Sequence, residues 1–85
     1  MPEISRFFGI VVAMFYSDHP PPHFHAHYGE DEVTVRIDDG GVDGYFPRRA
    51  LGLLLEWYAL HRDELRDNWE RAQTRRPLQR IEPLE

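Results

Sequence analysis

The chain contains no cysteine in its 85 residues. Disulfide bonds, thiolate-ligated zinc and thiol nucleophiles are therefore excluded, and any metal ion must be bound by histidine, aspartate or glutamate. Lysine is absent too, since all ten basic residues are arginine. This indicates either a base-composition bias of the genome or a preference for bidentate binding of carboxylate or phosphate groups.

Long hydrophobic runs are also scarce. The most apolar stretch extends from Phe7 to Tyr16, and it is too short to cross a bilayer, which takes about 20 residues. Glu3 precedes this stretch, and the segment that follows it, Ser17 to Pro22, is not the small-residue cleavage site of a signal peptide. We predict a buried strand in a cytoplasmic protein that does not bind membranes.

The size of the chain predicts one domain, spanning residues 1–85, with a modest core. A homodimer or another protein partner would add stability to so small a core. The net charge of −5 argues against non-specific binding of nucleic acid, although it leaves room for a local arginine patch. Four large aromatic side chains are candidates for a hydrophobic interface: Phe7, Phe8, Tyr45 and Trp57.

The first half of the chain predicts an antiparallel meander of three or four strands. The clearest strand covers residues 32–38, where Val33, Val35 and Ile37 alternate with polar residues. Asp39-Gly40-Gly41 is typical of a hairpin turn. The other predicted strands cover residues 10–16, 23–28 and 42–46.

The second half predicts helix. Pro47 suits the first turn of a helix, and apolar residues recur at helical spacing from Ala50 to Gln73. The apolar stripe is interrupted at His61-Arg62, which predicts either one long, kinked helix or two helices. The predicted fold class is therefore α+β, with this helical segment packed on one face of the meander.

Four of the five histidines lie between Asp18 and Tyr28. If residues 23–28 are extended, His23, His25 and His27 share one face at a spacing of roughly 6.5–7 Å. Imidazoles bind metals and transfer protons near neutral pH. Three consecutive prolines before His23 stiffen the loop, which favours a fixed separation between its histidines.

The predicted metal site consists of His19, His23 and His25, and its ion would be divalent, such as zinc. Asp18, His27 or His61 are alternatives for the third ligand. Two other interpretations stay open: the histidines contact phosphate or act as acid and base, or they form a polar surface that binds a partner.

Arg48 and Arg49 form the second candidate functional site. They lie in the first turn of the predicted helix, where the helix dipole disfavours cations. An anion or an acidic partner at this position would explain them, and so would neutralisation by the preceding aspartates. If the protein cleaves RNA, His23 or His25 would act as base or acid, and Arg48 or Arg49 would stabilise phosphate charge.

His61 occupies the gap in the helical stripe. It either points towards the sheet near His23 or forms hydrogen bonds at the edge of the core. Trp57 and Trp69 are predicted to be core or interface residues and not to bind a ligand. The sequence contains no phosphate-binding glycine loop, serine elbow or zinc-protease motif.

Taken together, several segments resemble the small bacterial proteins of the DUF4160 domain family, and the resemblance covers nearly the whole chain. The family motif includes His19, His23 and His25, whereas His27 is particular to this sequence. The segments are Ile4 to Ile10, Asp18 to His25, Arg49 to Leu51, Glu56-Trp57, His61 to Leu65, Asn68-Trp69, Pro77-Leu78 and Ile81 to Leu84.

The resemblance carries no established activity, but it implies a partner. Members of the family are often encoded beside a small DUF2442-type protein, a pairing that suggests a toxin–antitoxin-like module of two genes. The expected function is therefore binding of a cognate protein, and of RNA, through a histidine and arginine surface. The rival expectations are a metal-dependent hydrolase or oxygenase and a purely structural adaptor.

Overall fold

The computed structural model describes residues 2–85 and has an α+β fold. Five antiparallel strands form one sheet in chain order, and two helices follow. The predicted meander is confirmed, and it has one strand more than the three or four expected. The elements are β1 (Glu3–Phe7), β2 (Ile10–Ala13), β3 (His23–Tyr28), β4 (Asp31–Arg36), β5 (Val42–Gly44), α1 (Arg48–Leu60) and α2 (Arg62–Gln73).

The additional strand arises because the apolar stretch 7–16 does not form a single strand. Phe8 and Gly9 both have positive φ values, 48° and 82°, and make a tight turn between β1 and β2. The chain then leaves the sheet after Ala13, three residues earlier than predicted. The hydrophobic run 7–16 therefore forms part of a β-hairpin and the first residues of the following loop.

The two faces of β3 and β4 differ as the alternation predicted. Phe24, Ala26, Val33 and Val35 are at most 1% exposed and form the core with the helices. The histidines lie on the other face, opposite the polar residues of β4. The cross-strand pairs on that face are His23 with Arg36, His25 with Thr34, and His27 with Glu32.

The helical segment consists of two helices separated at His61. The backbone N–H of His61 still bonds to the carbonyl groups of Trp57 and Tyr58, at 3.1 and 3.2 Å, so the chain turns without losing its last helical hydrogen bonds. Tyr58 donates its hydroxyl to the carbonyl oxygen of Ile37 at 2.6 Å, which fixes α1 against the end of β4.

The four aromatic residues proposed for a hydrophobic interface have two different environments. Phe7 and Trp57 are core residues, at 5% and 0% exposure, and so cannot contribute to an interface. Phe8 and Tyr45 are exposed, at 58% and 67%. Within residues 2–85, neither helix has the length and hydrophobicity required of a membrane span.

Candidate metal centre

The loop between β2 and β3 is attached to the last turns of α2. The N–H of Ser17 donates to the carbonyl oxygen of Ala72 at 3.2 Å. The side-chain amide of Gln73 donates to the carbonyl oxygen of Asp18 at 3.0 Å. These two hydrogen bonds hold the Asp18 side chain beside the first residues of β3.

Asp18, His23 and His25 form a compact cluster, here called the Asp18 cluster. Oxygen Oδ2 of Asp18 lies 2.9 Å from Nε2 of His23 and 3.3 Å from Nε2 of His25. One donor atom from each residue lies within 4.8 Å of the other two. Two imidazole nitrogens and one carboxylate oxygen are a ligand set that proteins use for divalent transition metals.

The tautomer of His23 follows from its backbone contact. Its Nδ1 lies 2.8 Å from the carbonyl oxygen of Pro21, which can accept a hydrogen bond but cannot donate one. Nδ1 therefore carries a proton, and in the neutral ring the lone pair is on Nε2, facing Asp18. Two acceptor atoms would then face each other unless a proton or a cation lies between them.

His25 has a similar arrangement of acceptors. Its Nε2 faces Asp18, and its Nδ1 lies 3.4 Å from Oε2 of Glu32. A neutral imidazole carries one N–H, yet all four ring nitrogens of His23 and His25 face oxygen acceptors. A cation bound at the two Nε2 atoms and the carboxylate satisfies every one of these contacts.

Aromatic side chains hold both imidazole rings in place. Phe15 packs edge-on against the ring of His25, with the ring centroids 4.4 Å apart. Trp69 of α2 packs against His23 at 5.3 Å. The side chains of His23 and His25 are 9% and 16% exposed, so their orientation is fixed by packing and does not depend on solvent.

The carboxyl group of Asp18 is ionised more readily than an isolated aspartate. Burial alone raises its pKa, but the hydrogen bonds from the His19 backbone and the His25 ring, together with the charges that His23 and His19 carry when they are protonated, outweigh this effect. The net result is a pKa below the usual value. A charged carboxylate is the form that binds a metal ion.

The Asp18 cluster opens into a pocket of about 260 Å³ on the face of β3 and β4 opposite the buried Phe24 and Val35. The proline loop and β3 form one wall, and β4 and β5 form the other. The pocket is lined by Asp18, His19, Pro21, His23, His25, Thr34, Arg36 and Asp43.

The remaining histidines lie outside the group of three. His19 lines the pocket, but its side chain is 83% exposed and its Nδ1 contacts the other carboxylate oxygen of Asp18 at 3.0 Å. His27 lies farther along β3, where its Nδ1 is 3.8 Å from Glu32. His61 bonds to Glu64 at 2.6 Å and does not line the pocket. Asp18 thus takes the position predicted for His19.

Arg48 and Arg49 do not line this pocket. Both are exposed at the start of α1. Arg49 lines a second cleft, with Phe8 and Tyr28, and Tyr28 lies at the opposite end of β3 from His23. In the part of the chain that the structure describes, neither arginine pairs with an aspartate. Asp38 pairs with Arg66, and Asp39 and Asp43 pair with Arg36.

The sequence did not indicate that residues of β4 line the pocket. Thr34 and Arg36 were recognised as the polar side of a half-buried strand, but nothing connected them to the histidines. The alternation of β3 and β4 gives each face separately, whereas the register that pairs His23 with Arg36 depends on the Gly29-Glu30 turn. A register assigned from that turn would have placed Arg36 beside the site.

The comparisons with known proteins give a family and nothing more. The model of a family described as "Domain of unknown function (DUF4160)" matches residues 9–70 of this chain. This range includes the whole Asp18 cluster and most of α2. No curated protein and no solved structure matches the chain.

Proposed function

Since the chain belongs to the DUF4160 family, whose function is not known, we propose a function from its own side chains. In this proposal the protein binds one divalent transition-metal ion through the Asp18 cluster and acts as a metal-dependent enzyme. The observation that carries the proposal is the convergence of three donor atoms within 4.8 Å of one another.

The pocket favours a catalytic site over a structural one. Structural metal sites are closed by four protein ligands, whereas catalytic sites use three and leave a position for water or substrate. The Asp18 cluster offers three ligands and adjoins a pocket of about 260 Å³. Once bound, the ion would activate a water molecule or polarise a substrate oxygen.

The surrounding residues support ligation by the Nε2 atoms. Histidine ligands generally donate their second ring N–H to a carbonyl or carboxylate, which fixes the ring and increases its basicity. The carbonyl oxygen of Pro21 accepts this hydrogen bond from His23 at 2.8 Å. Glu32 is positioned to accept the corresponding one from His25 at 3.4 Å.

Metal analysis of the protein purified without an affinity tag tests the proposal. We expect about one zinc or iron ion per chain, and Asp18→Asn lowers the affinity because it replaces the charged ligand with an amide. Asp67→Asn is the matched control, since Asp67 pairs with Arg71 on α2 and lies outside the pocket. Zinc would indicate hydrolysis, and iron would indicate oxygen chemistry.

Two results contradict the proposal. One is protein that binds neither zinc, iron nor cobalt at stoichiometric ratio after equilibrium dialysis. The other is Asp18→Asn protein that binds metal as tightly as the unsubstituted protein, since the ion would then be bound elsewhere.

A second candidate function, implied by the family resemblance, is binding of a small cognate protein from a neighbouring gene, in a toxin–antitoxin-like pair that also binds RNA. The observation that favours it is Phe8, which is 58% exposed at the tip of the β1–β2 turn. Phe8 borders the cleft of about 280 Å³ that Arg49 and Tyr28 also line. Exposed aromatic residues beside an arginine are typical of protein interfaces.

Co-expression with the neighbouring gene product tests this candidate. We expect a stable complex that Phe8→Ser weakens, whereas Leu60→Ser, at a residue 65% exposed at the end of α1, leaves it intact. The absence of a complex, or equal binding by both variants, contradicts the assignment.

A further inference from the structure

We propose that the pocket beside the Asp18 cluster binds the carboxylate group of a small organic acid, and that Arg36 binds one end of that group. The inference rests on the proposed metal site and extends it to the opposite wall of the same pocket. Arg36 and Thr34 form that wall on β4.

The position of the Arg36 side chain is set by the turn that follows β4. Its Nε–H donates to Oδ1 of Asp39 at 3.1 Å, and the backbone N–H of Gly41 donates to the same oxygen at 2.8 Å. The guanidinium group lies so close to Gly41 that a Cβ atom at this residue would overlap it. A glycine at this position is therefore what allows the guanidinium group to lie here.

Most of the hydrogen-bonding capacity of Arg36 is left unused. A guanidinium group has five N–H donors, and within residues 2–85 only the one on Nε has an acceptor at hydrogen-bond distance. Oδ2 of Asp43 is 3.7 Å from Nη1, which is too long for a hydrogen bond. Nη1 keeps only this long ion-pair contact with Asp43, so the N–H groups of both terminal nitrogens can form the planar fork that binds carboxylates in a bidentate manner.

Strand register places this fork beside the metal ligands. Arg36 is directly opposite His23, and Thr34 is directly opposite His25, in the β3–β4 pairing. Directly opposed residues have Cβ atoms about 4.5–5.5 Å apart. An anion in the pocket would thus have the bound ion on one side and the Arg36 fork on the other, with the Thr34 hydroxyl as a further donor.

Size and charge select the kind of anion. The pocket volume of about 260 Å³ admits a small molecule. Asp43 also lines the pocket, and the whole chain has a net charge of −5. A carboxylate carries one negative charge, whereas a phosphate monoester carries about −1.5 to −2 near pH 7. The acidic surroundings therefore favour the carboxylate.

Ligand titrations of the cobalt-loaded protein test the inference. Acetate is expected to change the visible absorption of bound Co²⁺ saturably, acetamide to have no effect, and phosphate to bind more weakly than acetate. Arg36→Gln lowers the acetate affinity at least about tenfold, as expected for loss of a charge-assisted hydrogen bond, and leaves one cobalt ion per chain. Arg66→Gln is the matched control, because Arg66 pairs with Asp38 outside the pocket.

A second variant keeps the positive charge of Arg36 but displaces its guanidinium group. Gly41→Ala forces the guanidinium group away from its present position, so we expect weaker acetate binding with unchanged cobalt content. If Arg36→Gln does not fold, the acetate affinity of Gly41→Ala tests the role of Arg36.

The outcomes separate this inference from the proposed function. Protein that binds no cobalt overturns the metal site itself. Cobalt at one ion per chain, with equal acetate affinity in the unsubstituted protein and both pocket variants, overturns the role of Arg36 alone. Phosphate binding more tightly than acetate overturns the choice of a carboxylate ligand.

Discussion

The two faces of β3 and β4 are made from alternating residues of the same two segments, but their environments are opposite. On one face, Phe24 and Val35 are fully buried under the helices. On the other, His23, His25 and Arg36 line an open pocket. Because one backbone positions both sets, the register that closes the core also fixes the geometry of the site.

The comparison indicates that stability and binding depend on different residues. The buried side chains of the core face, Phe24, Ala26, Val33 and Val35, are all apolar, so their contribution to stability comes from apolar burial. The pocket face holds ring nitrogens and carboxylate oxygens that, in our proposal, bind an added cation. Substitutions on the first face should therefore affect folding, and those on the second should affect ligand binding.

The largest effect is expected on the core face. Phe24→Ala removes a fully buried ring that packs against Trp57 and Tyr58, and we expect a loss of about 3–5 kcal/mol in the free energy of unfolding. Urea denaturation followed by circular dichroism measures it. The control is Tyr45→Ala at an exposed residue, with an expected change within about 0.5 kcal/mol. Equal losses in the two variants would contradict the assigned core.

On the pocket face, stability should respond to metal. Zinc at a concentration 100 times its dissociation constant is expected to raise the free energy of unfolding by about 2.7 kcal/mol. Asp18→Asn should lose this increment, whereas Asp67→Asn retains it. Unfolding curves with zinc and with a chelator give the values. If zinc stabilises Asp18→Asn as much as the unsubstituted protein, the Asp18 cluster is not its binding site.

The difference between the two faces also explains what the sequence could predict. Alternation in residues 23–28 and 32–38 is a local property, and it gave β3, β4 and the common face of the histidines. The break at His61 was likewise visible as a gap in the apolar stripe. The strand 3–7 was missed because a turn at Phe8-Gly9 interrupts a continuous hydrophobic run, and hydrophobicity alone does not mark such a turn.

The composition of the site could be predicted only in part. His23 and His25 were identified from their spacing, and Asp18 was kept as an alternative ligand. The placement of Asp18 beside His23 and His25 depends on hydrogen bonds from α2 to the loop, which join residues more than fifty positions apart. The position of Arg36 depends on strand register. The contact between α2 and the loop has no local sequence signal, whereas the Gly29-Glu30 turn gives one for the register.

A smaller effect is expected from Glu32, whose carboxylate lies 3.4 Å from Nδ1 of His25. Glu32→Gln should weaken metal binding about tenfold, because the ring loses a charged hydrogen-bond partner that orients it. Isothermal titration with zinc measures the affinity. Glu30→Gln, in the turn between β3 and β4, is the control and should bind like the unsubstituted protein. Unchanged affinity in Glu32→Gln would show that Glu32 does not position His25.

The smallest effect on stability is expected at Glu3, which lies on the edge strand β1 and outside the two faces of β3 and β4. The hydrogen bond from Arg6, followed by that from Arg80, lowers the pKa of Glu3 from 4.5 to about 2. A carboxyl whose pKa is lowered on folding stabilises the protein above its unfolded pKa, and this contribution is lost as the pH falls from about 4.5 towards 2. The effect is small because the ion pairs are exposed to solvent and salt.

Acid unfolding curves of Glu3→Gln and the unsubstituted protein, recorded without metal, test this assignment. We expect the difference in stability between them to shrink as the pH falls through that interval. It should also shrink at high salt, because added ions screen the pairs with Arg6 and Arg80. Glu70→Gln, on the exposed side of α2, should show no such interval. A pH-independent difference for Glu3→Gln would mean that its effect comes from packing and not from the ion pairs with Arg6 and Arg80.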